Sequence, residues 1–153
     1  MTAKQLLLKQ TAEAFGDNDE MSLKASLWKI TATEASWRPD EKVRTAEQIV
    51  RHVAWCKSWY CEQGFGTPML AIDERASNLE QAMTLLEESQ RVLVQCLESC
   101  PEEKLAQPIP TKFHGELAAY FFWIMLMHDL YHAGQIRTRR TMFRHSGGPG
   151  DAG

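Results

Sequence analysis

The sequence predicts an all-α fold: a four-helix bundle with a short extra helical segment between the first and second main helices. Apolar residues recur at helical spacing and show no strand-like alternation, and stretches rich in glycine or proline divide the pattern into segments. The 153 residues, 44% hydrophobic and 24% charged, suit one domain with one core. We therefore predict a single bundle domain over residues 1–144, followed by a disordered tail over residues 145–153.

The helices are predicted from their start and stop signals. The four main helices are expected over residues 3–15, 45–62, 72–99 and 115–144. The short extra segment is expected over residues 21–30. Residues 31–44, which contain Pro39, are predicted to form a connector. Thr45 and Gln48 have the spacing of a capping box, so the second main helix should begin there.

Charge and composition exclude several classes of function. The net charge of −3 and the isoelectric point near 6.0 give no electrostatic basis for binding nucleic acid or an anionic membrane. The longest apolar run, residues 117–127, is too short to span a bilayer. The basic run at residues 137–140 is predicted to end a helix. The four cysteines match no zinc-finger spacing and no export signal precedes them, so we expect reduced thiols in a cytoplasm.

Three of the five histidines are predicted to face the core. His128 and His132 stand one helical turn apart in the most apolar segment, and Gln135 and Arg139 share their face, where they could orient an anionic substrate. His52 lies on the apolar face of the second main helix. Burying three unpaired imidazoles would cost on the order of 1 kcal/mol or more each, whereas one metal ion satisfies all three. We therefore predict a metal site formed by His52, His128 and His132.

Residues near this predicted site receive simpler interpretations. Cys56, one turn after His52, could approach the metal, but a buried small hydrophobe is the favoured interpretation. Asp129 projects about 100° away from its histidine neighbour and is predicted to be a surface or interhelix partner. His114 and His145 are not predicted to be ligands. The wall of the pocket is predicted to include Trp37, Trp55, Trp59 and Tyr131.

The histidine segments resemble a known family. "TAEQIVRHVAW" around His52 and "MHDLYHAGQI" around His128 and His132 resemble segments of the DinB-like family of metal-binding four-helix bundles, and "EASWRP" is similar to the usual family lead-in. YfiT-type proteins, bacillithiol S-transferases and mycothiol-dependent isomerases belong to or near this group. The resemblance covers about residues 2–144. It implies a divalent cation on the same three histidines, zinc or nickel first with iron or manganese as alternatives, and often a homodimer.

The resemblance does not fix the reaction, so four hypotheses stay open. The first is a metal-dependent thiol S-transferase acting on a low-molecular-weight thiol, because three nitrogen ligands leave open positions on the ion. The second is a metal-dependent hydrolase. The third is a non-catalytic metal-binding stress-response bundle. The fourth is a helical bundle whose core histidines are satisfied without any metal.

Overall fold

The computed structural model of the protein describes residues 1–16, 20–72, 78–109 and 117–147. Within these residues the fold is all-α, as predicted, with four long helices, two short ones and one 3-10 turn. The α-helices are, in chain order, α1 (Ala3–Phe15), α2 (Leu23–Ser26), α3 (Ala32–Ser36), α4 (Ala46–Phe65), α5 (Leu79–Ser99) and α6 (Ala118–His145). The 3-10 turn spans Glu102–Lys104, between α5 and α6.

The predicted capping box fixes the start of α4. The Thr45 hydroxyl accepts a hydrogen bond from the Gln48 amide at 3.1 Å, and the Gln48 side chain accepts one from the Thr45 amide at 3.0 Å. The helix continues three residues beyond the predicted end at Glu62. It stops at Gly66, which takes the left-handed conformation (φ 68°) that suits a residue without a Cβ. This extra turn carries Phe65 into contact with the aromatic residues of α6.

The region between α1 and α4 differs most from its prediction. Only Leu23–Ser26 of the helix predicted over residues 21–30 is α-helical, and Lys29 lies beyond it at a positive φ of 53°. The predicted connector contains α3, which sequence reasoning missed. Thr31 caps α3 by accepting a hydrogen bond from the Glu34 amide at 3.1 Å, a local signal that five residues of helix do not make conspicuous.

Two further predicted helix starts differ from the structure or lie outside the described residues. The third main helix was predicted from residue 72, but Ile72 is not helical and α5 begins at Leu79, where the Asn78 side chain caps it. The prediction over residues 73–77 lies outside the described residues, as do His114 and the predicted start of the last helix. That helix, α6, reaches His145. The disordered tail and the single-domain boundary stay predictions, since residues 148–153 also lie outside the described part.

The core consists of two apolar clusters, and α6 contributes to both. The first cluster includes Leu93 and Leu97 from α5 and Phe121, Phe122 and Met125 from α6. The second includes Ile49, Val50 and Val53 from α4, Leu86 from α5, and Ala133 and Ile136 from α6. His128 and His132 of α6 therefore lie at the junction between the two clusters. None of the described helices combines the length with the hydropathy that crossing a bilayer demands.

The basic run at residues 137–140 does not end a helix, because α6 continues five residues beyond it. Its arginines instead fasten the 20–44 region to α6. Arg140 pairs with Glu34 at 2.7 Å, and both side chains are about nine-tenths buried. Arg137 donates to the carbonyls of Met21 and Ser22 at 3.2 Å. These contacts tie loop carbonyls to α6, so the run has a structural role that needs no nucleic-acid ligand.

Candidate metal centre

The structure brings the three predicted histidines together. His52 lies in the middle of α4, and His128 and His132 lie one turn apart on α6. The ring centroid of His52 lies 5.4 Å from that of His128 and 5.0 Å from that of His132, and the centroids of the two α6 rings are 4.3 Å apart. Three imidazoles from two helices thus form one cluster.

Hydrogen bonds fix the orientation of His132. Its Nδ1 lies 2.8 Å from Gln135 Oε1, and the Gln135 amide nitrogen donates to the Tyr131 hydroxyl at 2.9 Å. Because the amide oxygen can only accept, His132 Nδ1 carries the proton and His132 Nε2 keeps its lone pair. That Nε2 lies 3.0 Å from His128 Nε2. Gln135 therefore sets the tautomer that a ligand histidine at this place requires.

Cys56 belongs to the same cluster. One ligand atom from each of His52, Cys56 and His128 lies within 4.8 Å of the other two, and the Cys56 sulfur is 3.6 Å from His52 Nε2. Cys56 is buried, as its interpretation as a small hydrophobe required, but it also has the position of a donor. Its spacing of four residues from His52 puts both side chains on one face of α4, and the rotation of α4 decides whether the sulfur approaches the cluster.

Burial keeps the α6 histidines neutral. Desolvation, followed by the repulsion of His132, His52 and Lys57, lowers the pKa of His128 from 6.5 to about 3. Desolvation likewise lowers the pKa of His132 to about 4, with smaller contributions from His52 and Arg44 and an opposing one from the Gln135 hydrogen bond. Neutral imidazole is the form that binds metal, so protons do not compete for these two nitrogens near neutral pH.

The donor set fits a divalent metal ion. His128 Nδ1 is buried and makes no hydrogen bond with any of the described residues, so the protein alone leaves this cluster incompletely satisfied. The 3.0 Å between the two Nε2 atoms is a hydrogen-bond distance, so His128 Nε2 donates to His132 Nε2 and His128 Nδ1 keeps its lone pair. Three nitrogens and one sulfur are donors that zinc, nickel and iron accept.

A family model for the DinB superfamily matches residues 18–136, which is most of the chain. The chain belongs to the DinB superfamily. The matched region begins before α2 and ends after His132, so it contains the whole cluster together with Gln135. Members of the superfamily usually bind metal, and the His52, Cys56 and His128 group is a possible place for it in this member. No curated protein and no solved structure matches the chain significantly.

The DinB bundle carries a second buried polar cluster directly beside the histidines. Lys57 of α4 donates to Asp129 of α6 at 2.5 Å and to Gln90 of α5 at 2.6 Å, and its ammonium lies 5.0 Å from the centre of the Phe15 ring. Lys57 is fully buried and Asp129 is 1% exposed. Burial raises the pKa of Asp129, and the nearby Lys57 opposes that rise. Asp129 is thus the predicted interhelix partner, while the role of Lys57 was not foreseen.

A small cavity of about 150 Å³ adjoins His52 in this DinB member, lined by Arg44, Gln48, Arg51 and His52. The four aromatic residues that were predicted to form the pocket wall are not among the residues that line this cavity. Trp55 stacks on Trp59 at 5.7 Å, Trp37 packs against Phe143 at the far end of α6, and Tyr131 borders His132 at 5.0 Å. Arg139 contacts this cavity only through Arg44, because its Nε donates to the Arg44 carbonyl at 3.2 Å. The cavity beside the cluster is cationic, since both Arg44 and Arg51 line it.

Proposed function

We propose that this DinB protein binds one divalent metal ion through His52, His128 and His132 and acts as a metal-dependent thiol S-transferase. The observation that carries the proposal is the buried, neutral donor cluster with an unsatisfied nitrogen, placed beside a cationic cavity. Zinc or nickel suits this set best, with iron or manganese as alternatives, and the nearby Cys56 sulfur favours the softer ions. When bound, such an ion supplies Lewis acidity that lowers the pKa of a coordinated thiol.

The protein residues around the cluster have separate tasks in this proposal. Gln135 holds His132 in the tautomer that presents Nε2. Arg44 and Gln48 line the cavity at His52 and suit the anionic group of a small thiol substrate. Arg44 is near enough to help lower the pKa of His132, which supports its place beside the cluster. The cavity is small, so only part of the substrate enters it.

Thiol transfer is favoured over hydrolysis by the absence of a free carboxylate. Hydrolysis needs a group that moves a proton to the leaving group, usually an acid or base within hydrogen-bond reach. Among the described residues, the potential ligand group contains no aspartate or glutamate, and the neighbouring Asp129 is 1% exposed and paired with Lys57 through one oxygen. A thiol needs only to lose its proton and be oriented toward the electrophile.

The test begins with metal content. Elemental analysis of protein purified without an affinity tag should give about one divalent ion per chain, lost in His132→Ala. The matched control is His145→Ala, since His145 is an exposed histidine at the end of the same helix. The metal-loaded protein should then conjugate bacillithiol, mycothiol or glutathione to an aryl halide. Metal without conjugation would refute the transferase and leave a metal-binding bundle. No metal, even after incubation with zinc or nickel, would refute both.

We further propose that the protein resides in a reducing compartment such as the cytoplasm, since none of its four cysteines, all within the described residues, forms a disulfide.

We also propose that the protein forms a homodimer through one face of α6. Five large apolar side chains, at the N-cap of α6 and along its first half, are 39–62% exposed and recur every three or four residues: Leu117, Tyr120, Trp123, Met127 and Tyr131. Light scattering should give a dimer that Trp123→Glu dissociates. Trp28→Glu, which changes an exposed tryptophan outside this face, should stay dimeric. A monomeric wild type would contradict the proposal.

A further inference from the structure

The DinB bundle contains a second thiol cluster that the proposed metal site does not use. Cys61 lies nine residues after His52 on α4, or roughly 13 Å along the helix axis. Cys61 lies close enough to Cys96 of α5 for its thiol to change the pKa of Cys96. The hydroxyl of Thr67, just beyond the end of α4, lies 3.3 Å from the Cys96 sulfur. Cys96 thus has two polar neighbours that can donate a hydrogen bond to its sulfur.

Cys96 also faces a cavity. A space of about 350 Å³ between the end of α4 and the end of α5 is lined by Phe65, Thr67, Val92, Gln95, Cys96, Ser99, Cys100, Pro101 and Lys104. Cys96 keeps 9% of its surface exposed there, whereas Cys61 is fully buried behind it. The apolar wall suits the body of a small molecule, and Gln95, Ser99 and Lys104 offer polar contacts at the side. A molecule in this cavity would meet the Cys96 sulfur first.

The two polar neighbours favour the ionised form of Cys96. They lower its pKa from 9.0 to about 6, with Cys61 as the largest cause, Thr67 as a smaller one, and burial opposing both. The contact with Cys96, together with burial, raises the pKa of Cys61, although the Lys57 ammonium opposes that rise. Burial also raises the pKa of Cys100, which Lys4 and Lys104 lower in part. The three thiols of this region therefore differ in charge although they lie close together.

We propose that Cys96 is a reactive thiolate of a second small-molecule site, and that its ligand is a low-molecular-weight disulfide that enters this cavity. The Cys96 sulfur attacks one sulfur of the disulfide R–S–S–R, a Cys96–S–S–R bond forms, and R–S⁻ leaves with the electron pair of the broken bond. The Cys96 sulfur is oxidised and the leaving sulfur is reduced, so the step needs no other oxidant. Cys61 can afterwards displace the bound R–S group: a Cys61–S–S–Cys96 bond forms, the Cys96–S–S–R bond breaks, and the Cys61 proton passes to the leaving R–S⁻.

The test uses the full chain and bis(2-hydroxyethyl) disulfide, with the modified cysteine located by mass spectrometry after short reaction times. We expect modification first at Cys96, as the mixed disulfide or as its exchange product with Cys61. Thr67→Val should slow the reaction several-fold at slightly acidic pH, because it removes one bond to the thiolate. Thr84→Val, which changes an exposed threonine of α5 outside this cavity, should leave the rate unchanged.

Two results would overturn the proposal. One is modification that begins at Cys56 or Cys100 in the wild type. The other is a Cys96 that reacts no faster than a cysteine in an unstructured peptide at the same pH. Removing bound metal with a chelator should not change the rate, because Cys96 lies on α5 and its neighbour Cys61 stands nine residues after His52 on α4. Failure of the metal-site proposal would therefore leave this inference standing, and the reverse also holds.

Discussion

Two buried polar clusters lie side by side between α4 and α6, and they differ in whether opposite charges hold them together. In the first, Lys57 meets opposite charge in Asp129 and a neutral acceptor in Gln90, although the second carboxylate oxygen of Asp129 has no hydrogen-bond partner among the described residues. In the second, neutral imidazoles face one another, and His128 Nδ1 has no hydrogen-bond partner among the described residues. Adjacent residues, His128 and Asp129, belong to different clusters because consecutive helix positions project about 100° apart.

The difference separates a structural role from a ligand-binding one. A buried ion pair with good hydrogen bonds holds its helices in one arrangement, and its charges cancel without an outside partner. Neutral imidazoles offer only one N–H each, so such a cluster keeps lone pairs without donors, which a metal ion can accept together. We infer that the first cluster positions α4 against α6 and thereby sets the distances in the second.

Breaking the pair between Lys57 and Asp129 should give the largest change in the free energy of unfolding. Lys57→Met leaves Asp129 buried without its cation and should lower the free energy of unfolding by about 3–5 kcal/mol, measured by urea denaturation. The control is the double variant Lys57→Met with Asp129→Leu, which removes both charges and should recover most of the loss. If the single variant lost under about 1 kcal/mol, the pair would not hold the helices together.

Lys57 also shows where sequence reasoning stops. Its place four residues after Val53 and four before Cys61 is on an apolar face, but its partner Asp129 is 72 positions away in the chain. Only the packing of α4 against α6 reveals that pairing. By contrast, the capping box of Thr45 and Gln48 is contained within four residues and was predicted correctly.

The candidate site was predictable to the extent that it depends on helix faces. His52, His128 and His132 could be placed inward from periodicity alone, and their rings do meet. Their service as ligands stays a prediction. Whether Cys56 approaches the cluster depends on the rotation of α4, and the Cys61 and Cys96 contact depends on how α4 and α5 pack. Neither of these is encoded in local spacing.

The histidine cluster should make the metal-free protein less stable in acid, with a loss of roughly 2–4 kcal/mol in the free energy of unfolding. The folded-state pKa values of about 3 for His128 and about 4 for His132 lie below the ordinary value of 6.5. The unfolded chain therefore takes up protons first, so stability is complete above about pH 6.5 and is lost as the pH falls toward 4. Urea denaturation of chelator-treated protein across this range measures it.

The matched variants for the pH experiment are His128→Asn and His145→Ala. The first removes one of the two depressed groups and should reduce the acid sensitivity by about half. The second removes an exposed histidine and should change nothing. An acid sensitivity that is the same in His128→Asn as in the wild type would show that other groups cause it, and the contrast between the two clusters would lose its electrostatic basis.

Gln135 connects the histidine cluster to its surroundings and should have an intermediate effect. Gln135→Leu removes the acceptor of the His132 Nδ1 proton, so the ring can turn or adopt the other tautomer. Metal affinity should fall about 10- to 100-fold, equivalent to about 1.4–2.7 kcal/mol, in a competition titration with a chromogenic chelator. Gln135→Glu keeps an acceptor at the same place and should retain tight binding. Equal affinity in the wild type and Gln135→Leu would exclude this role.

The smallest expected effect concerns Cys56, and it sharpens the description of the open cluster. At about pH 7.5 histidines are already neutral, whereas an ordinary thiol is still mostly protonated. If the Cys56 sulfur joins the histidines on the ion, zinc binding should release nearly one proton per ion, measured by calorimetry in buffers of different ionisation enthalpy. Cys56→Ser should remove that release and weaken affinity by about tenfold or less. Release near zero in the wild type would instead mean that nitrogens alone hold the ion, with Cys56 only packing against them.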